Sequence, residues 1–400
     1  MIYDYDVLIA GGGLAGGSLA LALCGTGLRV AVIESVAEDQ RKASSAGERA
    51  LALAWGSAQI LGQIGVWQQA EKKSAPIRHI HVSDRGYFGK LRMSAEQEGV
   101  PALGYVVTAR VLEDAVAALL DASAVTMIRP AAVVGLKAGG NAVHVSIKQA
   151  DTSINLSVRL LVAADGGNST VRKLLEIGQT QRDYGQTALV TEVTTGRSGD
   201  YTAYERFTSA GPLAFLPLGK KRYSVVWTQN SDDAADLLAL SETAFTRQLQ
   251  AAFGYWLGQI TLASRRQGFP LKLIRAQRMT DQRVVLIGNA VHQLHPVAGQ
   301  GLNLGLRDVA LLVEMLSSKL AFGEDIGEQA FLDGYAKARQ DDLDRVIQFT
   351  DNSVRIFSNS VWVLTSTRNI GLLTLDRLLP GKRLLANYAM GLGRRIPRFG

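Results

Sequence analysis

The apolar positions near the start of the chain fall in three blocks. Val7-Leu8-Ile9-Ala10 is a continuous run of strand length, Leu19 to Leu23 forms a second run, and Val30-Ala31-Val32-Ile33 a third. Glycines at 11, 12, 13, 16 and 17 separate the first from the second. This order predicts a strand, a glycine turn, a buried helix and another strand, the βαβ unit of a parallel sheet. The uncharged stretch Val7–Leu28 has the length of a membrane span. A strand, a turn and a buried helix explain its apolarity without lipid.

Further along, the run Arg283-Val284-Val285-Leu286-Ile287 reads as a strand, and Leu304 to Leu320 as a helix with a glycine-rich turn between them. Helices are also expected around Ala52–Ile64 and over Arg110–Leu120, and strands over Ile77–Ser83, near Thr126–Ile147 and over Arg159–Ala164. Residues 181–270 alternate apolar and polar side chains in runs such as Tyr223-Ser224-Val225-Val226-Trp227, which suits an antiparallel sheet. From about residue 326 the pattern is helical.

Composition narrows the class. Four hundred residues, 47% apolar and 20% charged, describe an ordinary globular chain of two or three domains rather than a disordered one. The single cysteine, Cys24, rules out an intrachain disulfide, dithiol redox chemistry and a cysteine-built metal cluster. No metal site is expected. The N-terminus lacks the basic and apolar regions of a secretory signal, so a reducing cytoplasm is the expected compartment.

The net charge of +7 is unevenly placed: residues 355–400 hold eight basic side chains and one acid, Asp376, while the rest of the chain balances. That basic stretch alternates with apolar runs such as Val361-Trp362-Val363-Leu364. Such an amphipathic tail either lies on an anionic membrane surface or caps the body with its arginines in water.

Two motifs carry chemistry. In Gly11-x-Gly13-x-x-Gly16 the first glycine permits a tight turn, the second lets the backbone approach a pyrophosphate, and the third lets helix and strand pack closely. The anion then meets the free amides of a helix N-terminus. Glu34, at the end of the second strand, can accept both ribose hydroxyls of an adenosine and would repel a 2′-phosphate. This favours FAD or NAD over NADP at that position. Gly288 to Asn303 repeats the logic: a strand leads to a short polar side chain, then a glycine turn aims helix amides at an electron-rich group. Reduced flavin is such a group.

With these motifs in hand, the sequence resembles a known family. The Gly11–Gly16 fingerprint with Glu34, the Asp165-Gly166-Gly167-Asn168-Ser169-Thr170-Val171-Arg172 stretch and the Gly288–Asp308 stretch look like the three signatures of class A flavin-dependent aromatic hydroxylases. Gly47–Leu53, Val82–Gly86, Tyr204–Thr208, Gly211–Ala214 and the variants Asn289 and His295-Pro296 resemble the ubiquinone-biosynthesis branch, closest to the 2-polyprenyl-6-methoxyphenol hydroxylase (UbiH) type. The likeness runs over nearly the whole chain.

The resemblance implies an α/β fold of the p-hydroxybenzoate hydroxylase type. A discontinuous Rossmann-like FAD-binding domain (residues 1–75, 101–180 and 271–325) would carry an antiparallel-sheet substrate domain (76–100 and 181–270) and a C-terminal helical region (326–400). Gly11, Gly13, Gly16 and Glu34 would hold the ADP half of FAD, and Arg49 and Arg110 would contact the nucleotide from the starts of helices. Asp165 and Arg172 belong to a signature tied to FAD and nicotinamide dinucleotide. Gly288 and Asn289 would lie at the ribityl chain and pyrophosphate, and Pro296, Gly299, Gly301 and Asn303 near the isoalloxazine. Asn289 replaces the Asp of most members, which should weaken a bond to the flavin.

The activity implied is reduction of the flavin by NAD(P)H, addition of dioxygen to give a C4a-hydroperoxide, and hydroxylation of a polyprenyl phenol. His295 is a candidate base, with His292 behind it, and Arg206 is a candidate for the phenol oxygen. The alternatives are the same chemistry at another ring position or on a soluble phenol, a flavin-dependent isoprenoid reductase, and a non-enzymatic flavoprotein partner in a biosynthetic complex. The basic C-terminal region would hold the protein at the inner face of the membrane, with other ubiquinone-biosynthesis proteins as further partners and no nucleic acid.

Overall fold

The computed structural model describes residues 3–293, 299–357, 369, 371, 373–377 and 379–392. His295 and Pro296 lie outside the described residues, as do Arg368, Arg394, Arg395 and Arg398 of the basic tail.

The first sheet grows from the N-terminal βαβ unit. Strand β1 (Tyr5–Ala10) leads into helix α1 (Leu14–Ala22) and returns as β2 (Val30–Ile33), parallel to β1. Later strands complete the sheet on either side, with Thr126–Ile128 beyond β2 and Thr152–Ala163 and Val284–Leu286 beyond β1, all parallel. Val7, Leu8 and Ile9 are fully buried because both faces of the sheet are covered, which is why this strand reads as an unbroken apolar run.

The expected helix at 52–64 is shorter than the sequence suggests. Ala50–Ala54 forms an edge strand of a small three-stranded sheet, against Gly104–Thr108 with Ala75–Ile77 on the other side, and helix α2 runs only over Trp55–Gln63. Ala50-Leu51-Ala52-Leu53-Ala54 carries no signal that separates strand from helix, so the pairing with 104–108 decides it.

The second large sheet has nine strands and is antiparallel apart from one pair. Its centre is built from Gln179–Thr195, Arg222–Asn230, Gly211–Pro217 and β3 (Thr202–Thr208), and its far edge from β4 (His79–Asp84) and β5 (Lys90–Ser94). Strand alternation gives it two unlike faces. One carries Leu213, Phe215, Tyr223, Val225 and Trp227 under the helices Ser231–Ala239 and Glu242–Phe253. The other carries Ile80, Val82, Ala203 and Leu216, which pack on Ile77, Leu103 and Val106 next to the small sheet. The second face is therefore the one turned toward the nucleotide-binding half. His292-Gln293, close to the third motif, adds a short strand to this sheet.

Helices α3 (Gln300–Ala321) and α4 (Gln329–Phe357) close the first half, and helix α5 (Leu379–Ala389) docks beneath the substrate sheet through Ala386, with Met390 just beyond its end. Among the described residues no helix is long and apolar enough to cross a membrane.

Candidate active site

Three loops distant in sequence meet at the C-terminal ends of the parallel strands. The first is the turn after β1. A Cβ added to Gly11 would lie 2.5 Å from the Ala164 carbonyl oxygen, and one added to Gly16 would lie 2.0 Å from the Gly11 oxygen. These glycines are required by the protein itself. Gly13 is different: a Cβ there would meet nothing within 4 Å. It caps α1 with no side-chain bond, leaving the helix amides open to an anion. Glu34 accepts the amides of Gly12 and Val36, each at 2.8 Å, which fixes its carboxylate beside the turn with lone pairs to spare for ribose hydroxyls.

The second loop begins at Asp165. Its Oδ2 accepts the amides of Thr170 and Val171 at 2.7 and 3.1 Å, whereas Oδ1 is buried and has no partner. An orphaned acceptor beside the glycine turn fits a hydroxyl-bearing ligand. Arg172, itself buried, donates to the Gly167 and Ala290 carbonyls, so it ties this loop to the third.

The third loop backs directly onto the first. A Cβ on Gly288 would lie 3.2 Å from the Ala15 side chain, and one on Gly305 3.4 Å from the Gly288 Cα. Asn289 projects to the exposed side with no partner among the described residues, free for a ligand hydroxyl. Gly299 takes a left-handed conformation (φ 61°) as the uncapped N-cap of α3, and a Cβ there would come within 2.8 Å of Ala52. Gly301 faces open space. The loop that leads to α3 thus packs against the start of α1, an arrangement that fits one dinucleotide meeting both uncapped helix starts.

Several expected residues have other duties. Asn303 accepts the Ala54 amide and donates to the Ala52 and Gly299 carbonyls, so it braces the small sheet against α3 and has little left for the flavin. Arg49 precedes the strand at 50–54, not a helix, and its exposed side chain has no partner among the described residues. Arg110 does sit in the first turn of helix Ala109–Asp121. Its guanidinium donates to the Arg41 and Ser44 carbonyls beneath Gly47, and so shapes the loop bearing Arg49.

Arg206 faces away from the nucleotide-binding half. Its β3 position pairs with Leu213, on the helix-covered face, and its guanidinium lies 5.6 Å from the Trp256 ring. Binding of a phenol oxygen by Arg206, between sheet and flavin, is therefore corrected by the period-two alternation of the strand. His81 shares that outer face, its ring centre 4.7 Å from that of Trp256 and tilted by 31° to it. Burial, with help from Arg92, Lys90 and Arg206, lowers its pKa to about 4. Glu205, which the sequence showed only as the neighbour of Arg206, faces inward.

His292 is buried and bonds through Nε2 to Asp308 at 3.0 Å, so it is a brace. Asp308 also accepts the Gly288 amide and Arg339. Burial alone would raise its pKa, but Arg339, His292 and the Gly288 amide outweigh that and bring it to about 2. This ionic knot was not read from the sequence, since Arg339 lies on a helix with no motif of its own.

An FAD cradle under a sheet with an apolar inner face defines a flavin-dependent aromatic hydroxylase that uses NAD(P)H and dioxygen. Residues 4–350 match the family model described as FAD binding domain. The chain is 38% identical to the ubiquinone hydroxylase UbiL of Rhodospirillum rubrum, over 98% of this chain and 92% of that protein. It is 30% identical to the 3-demethoxyubiquinol 3-hydroxylase of Escherichia coli, over 97% and 98%. The p-nitrophenol 4-monooxygenase PnpA of Pseudomonas putida DLL-E4 shares the fold, with 20% identity, a TM-score of 0.79 and coverage of 99% and 100%. The chain belongs to the ubiquinone-biosynthesis hydroxylase family of FAD-dependent monooxygenases.

Proposed function

We propose that this enzyme hydroxylates the aromatic ring of a membrane-borne polyprenyl phenol, with 2-polyprenyl-6-methoxyphenol as the substrate. The observation that carries this reading is the inner face of the substrate sheet, where the half-buried Ile80, Val82, Leu216 and Leu218 leave apolar surface at the edge of the core shared with the flavin half. A prenylated ring loses about 0.8 kcal/mol of aqueous penalty for each CH₂ it buries there.

Bound FAD supplies the passage of electrons from NAD(P)H to dioxygen and the transfer of one oxygen atom to the ring. The chain supplies the rest. Gly13 and the α1 amides would hold the pyrophosphate, Glu34 the adenosine ribose, Asp165 Oδ1 and Asn289 the ribityl side, and the α3 N-terminus the electron-rich ring edge. The apolar walls orient the phenol and exclude water.

Quinone-intermediate profiling in a deletion strain tests the substrate. Accumulation of 2-polyprenyl-6-methoxyphenol supports the reading, and accumulation of another phenol moves the reaction to that ring position. In the purified enzyme, oxygen uptake in step with hydroxylated product separates hydroxylation from isoprenoid reduction.

His295 is retained as a candidate proton carrier. Its Ala variant should slow hydroxylation more than flavin reduction. Membrane contact through Arg394, Arg395 and Arg398 is best tested by changing them to Glu, because Ala386 of α5 and the adjoining Met390 are buried in the body and deleting the whole tail would open the core. Loss of flotation with anionic vesicles, with FAD retained, supports that contact.

A further inference from the structure

Three consecutive side chains of β3 have different surroundings. Tyr204 and Arg206 face the helix-covered side of the sheet, in register with Phe215 and Leu213. Glu205 between them faces inward, flanked in register by Val82 and Ala214. Around it that face is apolar, and it packs toward Ile77, Leu103 and Val106.

The Glu205 carboxylate has no hydrogen-bond or ionic partner among the described residues. The residue is half-buried, held on the inward face between Val82 and Ala214. Other ionisable groups on this face of the neighbouring strands are occupied: Asp84 by Asn369, and Glu192 and Arg222 by each other. From the C-terminal segment that packs here, Lys382 pairs with Asp376. Burial is what pushes the Glu205 pKa up to about 7. A carboxylate with a structural duty would cap a helix or meet a cation. Glu205 does neither, and an enclosed carboxyl without a partner is costly unless it is used.

We propose that Glu205 is the base that takes the proton of the substrate phenol, an assignment that rests on the hydroxylase reading above. The phenol O–H bond breaks, the proton moves to a carboxylate oxygen, and the electron pair stays on the phenol oxygen. No oxidation occurs in this step. The ring becomes more electron-rich for the oxygen transfer that follows, and the proton leaves to solvent between turnovers. A carboxyl raised from 4.5 to about 7 makes transfer from a phenol roughly 300-fold less unfavourable than an ordinary one.

The test compares the wild-type holoenzyme with Glu205→Gln and Glu205→Asp. The Gln variant keeps FAD and is reduced by NAD(P)H at the wild-type rate. Its hydroxylation falls about 100-fold at neutral pH, and the acidic limb of the kcat profile near 7 disappears. The Asp variant recovers part of the loss. Independently of turnover, 4-nitrophenol bound to the oxidised protein reports its own ionisation by absorbance. Its apparent pKa is higher by about a unit in wild type than in Glu205→Gln, because a neighbouring carboxylate disfavours the phenolate. An active wild type matched by the Gln variant in product yield, pH profile and nitrophenol titration overturns the Glu205 assignment alone. A wild type that couples NAD(P)H oxidation to no phenol overturns the hydroxylase reading, and this assignment with it.

Discussion

Asp308 accepts the Gly288 amide at 2.9 Å, so the third glycine loop is held by a carboxylate from the helix that follows it. The same carboxylate takes His292 at 3.0 Å and Arg339 at 2.6 Å. Arg339 comes from α4, so three elements share one buried charge. The position after Gly288 is therefore relieved of any bracing role, and Asn289 is open to the ligand.

Asp308→Asn should destabilise the apoprotein by about 3 kcal/mol, because it leaves the Arg339 charge buried with only Asp342 to answer it. Denaturant melts check this. The pH dependence has a defined sign. Asp308 is lowered in the folded state to about 2, so it adds about 2 kcal/mol above pH 4 that is lost as the pH falls through 2. The variant should lack that part of the acid transition.

The glycines of the first loop should separate by what they touch. Gly16→Ala drives a Cβ to 2.0 Å from the Gly11 oxygen and should destabilise the apoprotein by about 2–3 kcal/mol. Gly13→Ala meets no protein atom within 4 Å, so apoprotein melting should stay within about 0.5 kcal/mol of wild type. Its FAD affinity should nevertheless fall by about tenfold or more. Equal FAD affinity in Gly13→Ala and wild type would remove Gly13 from the pyrophosphate path.

Asn289→Asp should tighten FAD binding, since a charged acceptor makes a hydrogen bond roughly twice as strong as a neutral one. Flavin fluorescence titration should show a Kd lower by about threefold to tenfold. An unchanged Kd would mean that Asn289 does not reach the cofactor.

Glu205 also affects stability. Its folded pKa, about 7, lies above the ordinary carboxyl value of 4.5, so the folded state holds a proton that the unfolded chain has released. Stability should then decline between pH 4.5 and pH 7 by about 3 kcal/mol. Glu205→Gln should melt above wild type at pH 8 and with it near pH 4. Bound flavin must be matched between samples, because it adds its own stabilisation.

What the chain disclosed and what it hid follow one rule. The cofactor loops were legible because their chemistry is local: a phosphate turn needs glycine at fixed spacing, and Gly11, Gly16 and Gly288 are tied to positions that any sequence of this pattern must meet. Asn303 and Arg110 were legible as present but not as occupied, since their partners, Ala54, Arg41 and Ser44, lie far off in the chain or on irregular loops. Arg206 and Glu205 show the limit most sharply. Adjacent residues on a strand face opposite ways, and only the register with Val82 and Leu213 says which of the two is turned toward the nucleotide-binding half. The strand at 50–54 was missed because its residues carry no preference that pairing could not override.

The C-terminal segment reaches back across the chain. Asn369 donates to Asp84 and accepts the Gly89 amide, and the Met390 carbonyl accepts the Gly56 amide at 2.8 Å. During synthesis these residues emerge after the elements that they join. The nucleotide-binding half can assemble while they are still in the exit tunnel, whereas the far edge of the substrate sheet, braced by Asn369 at Asp84 and Gly89, stays unfinished until they emerge. A nascent chain would thus shape its dinucleotide loops before it could seal that sheet edge.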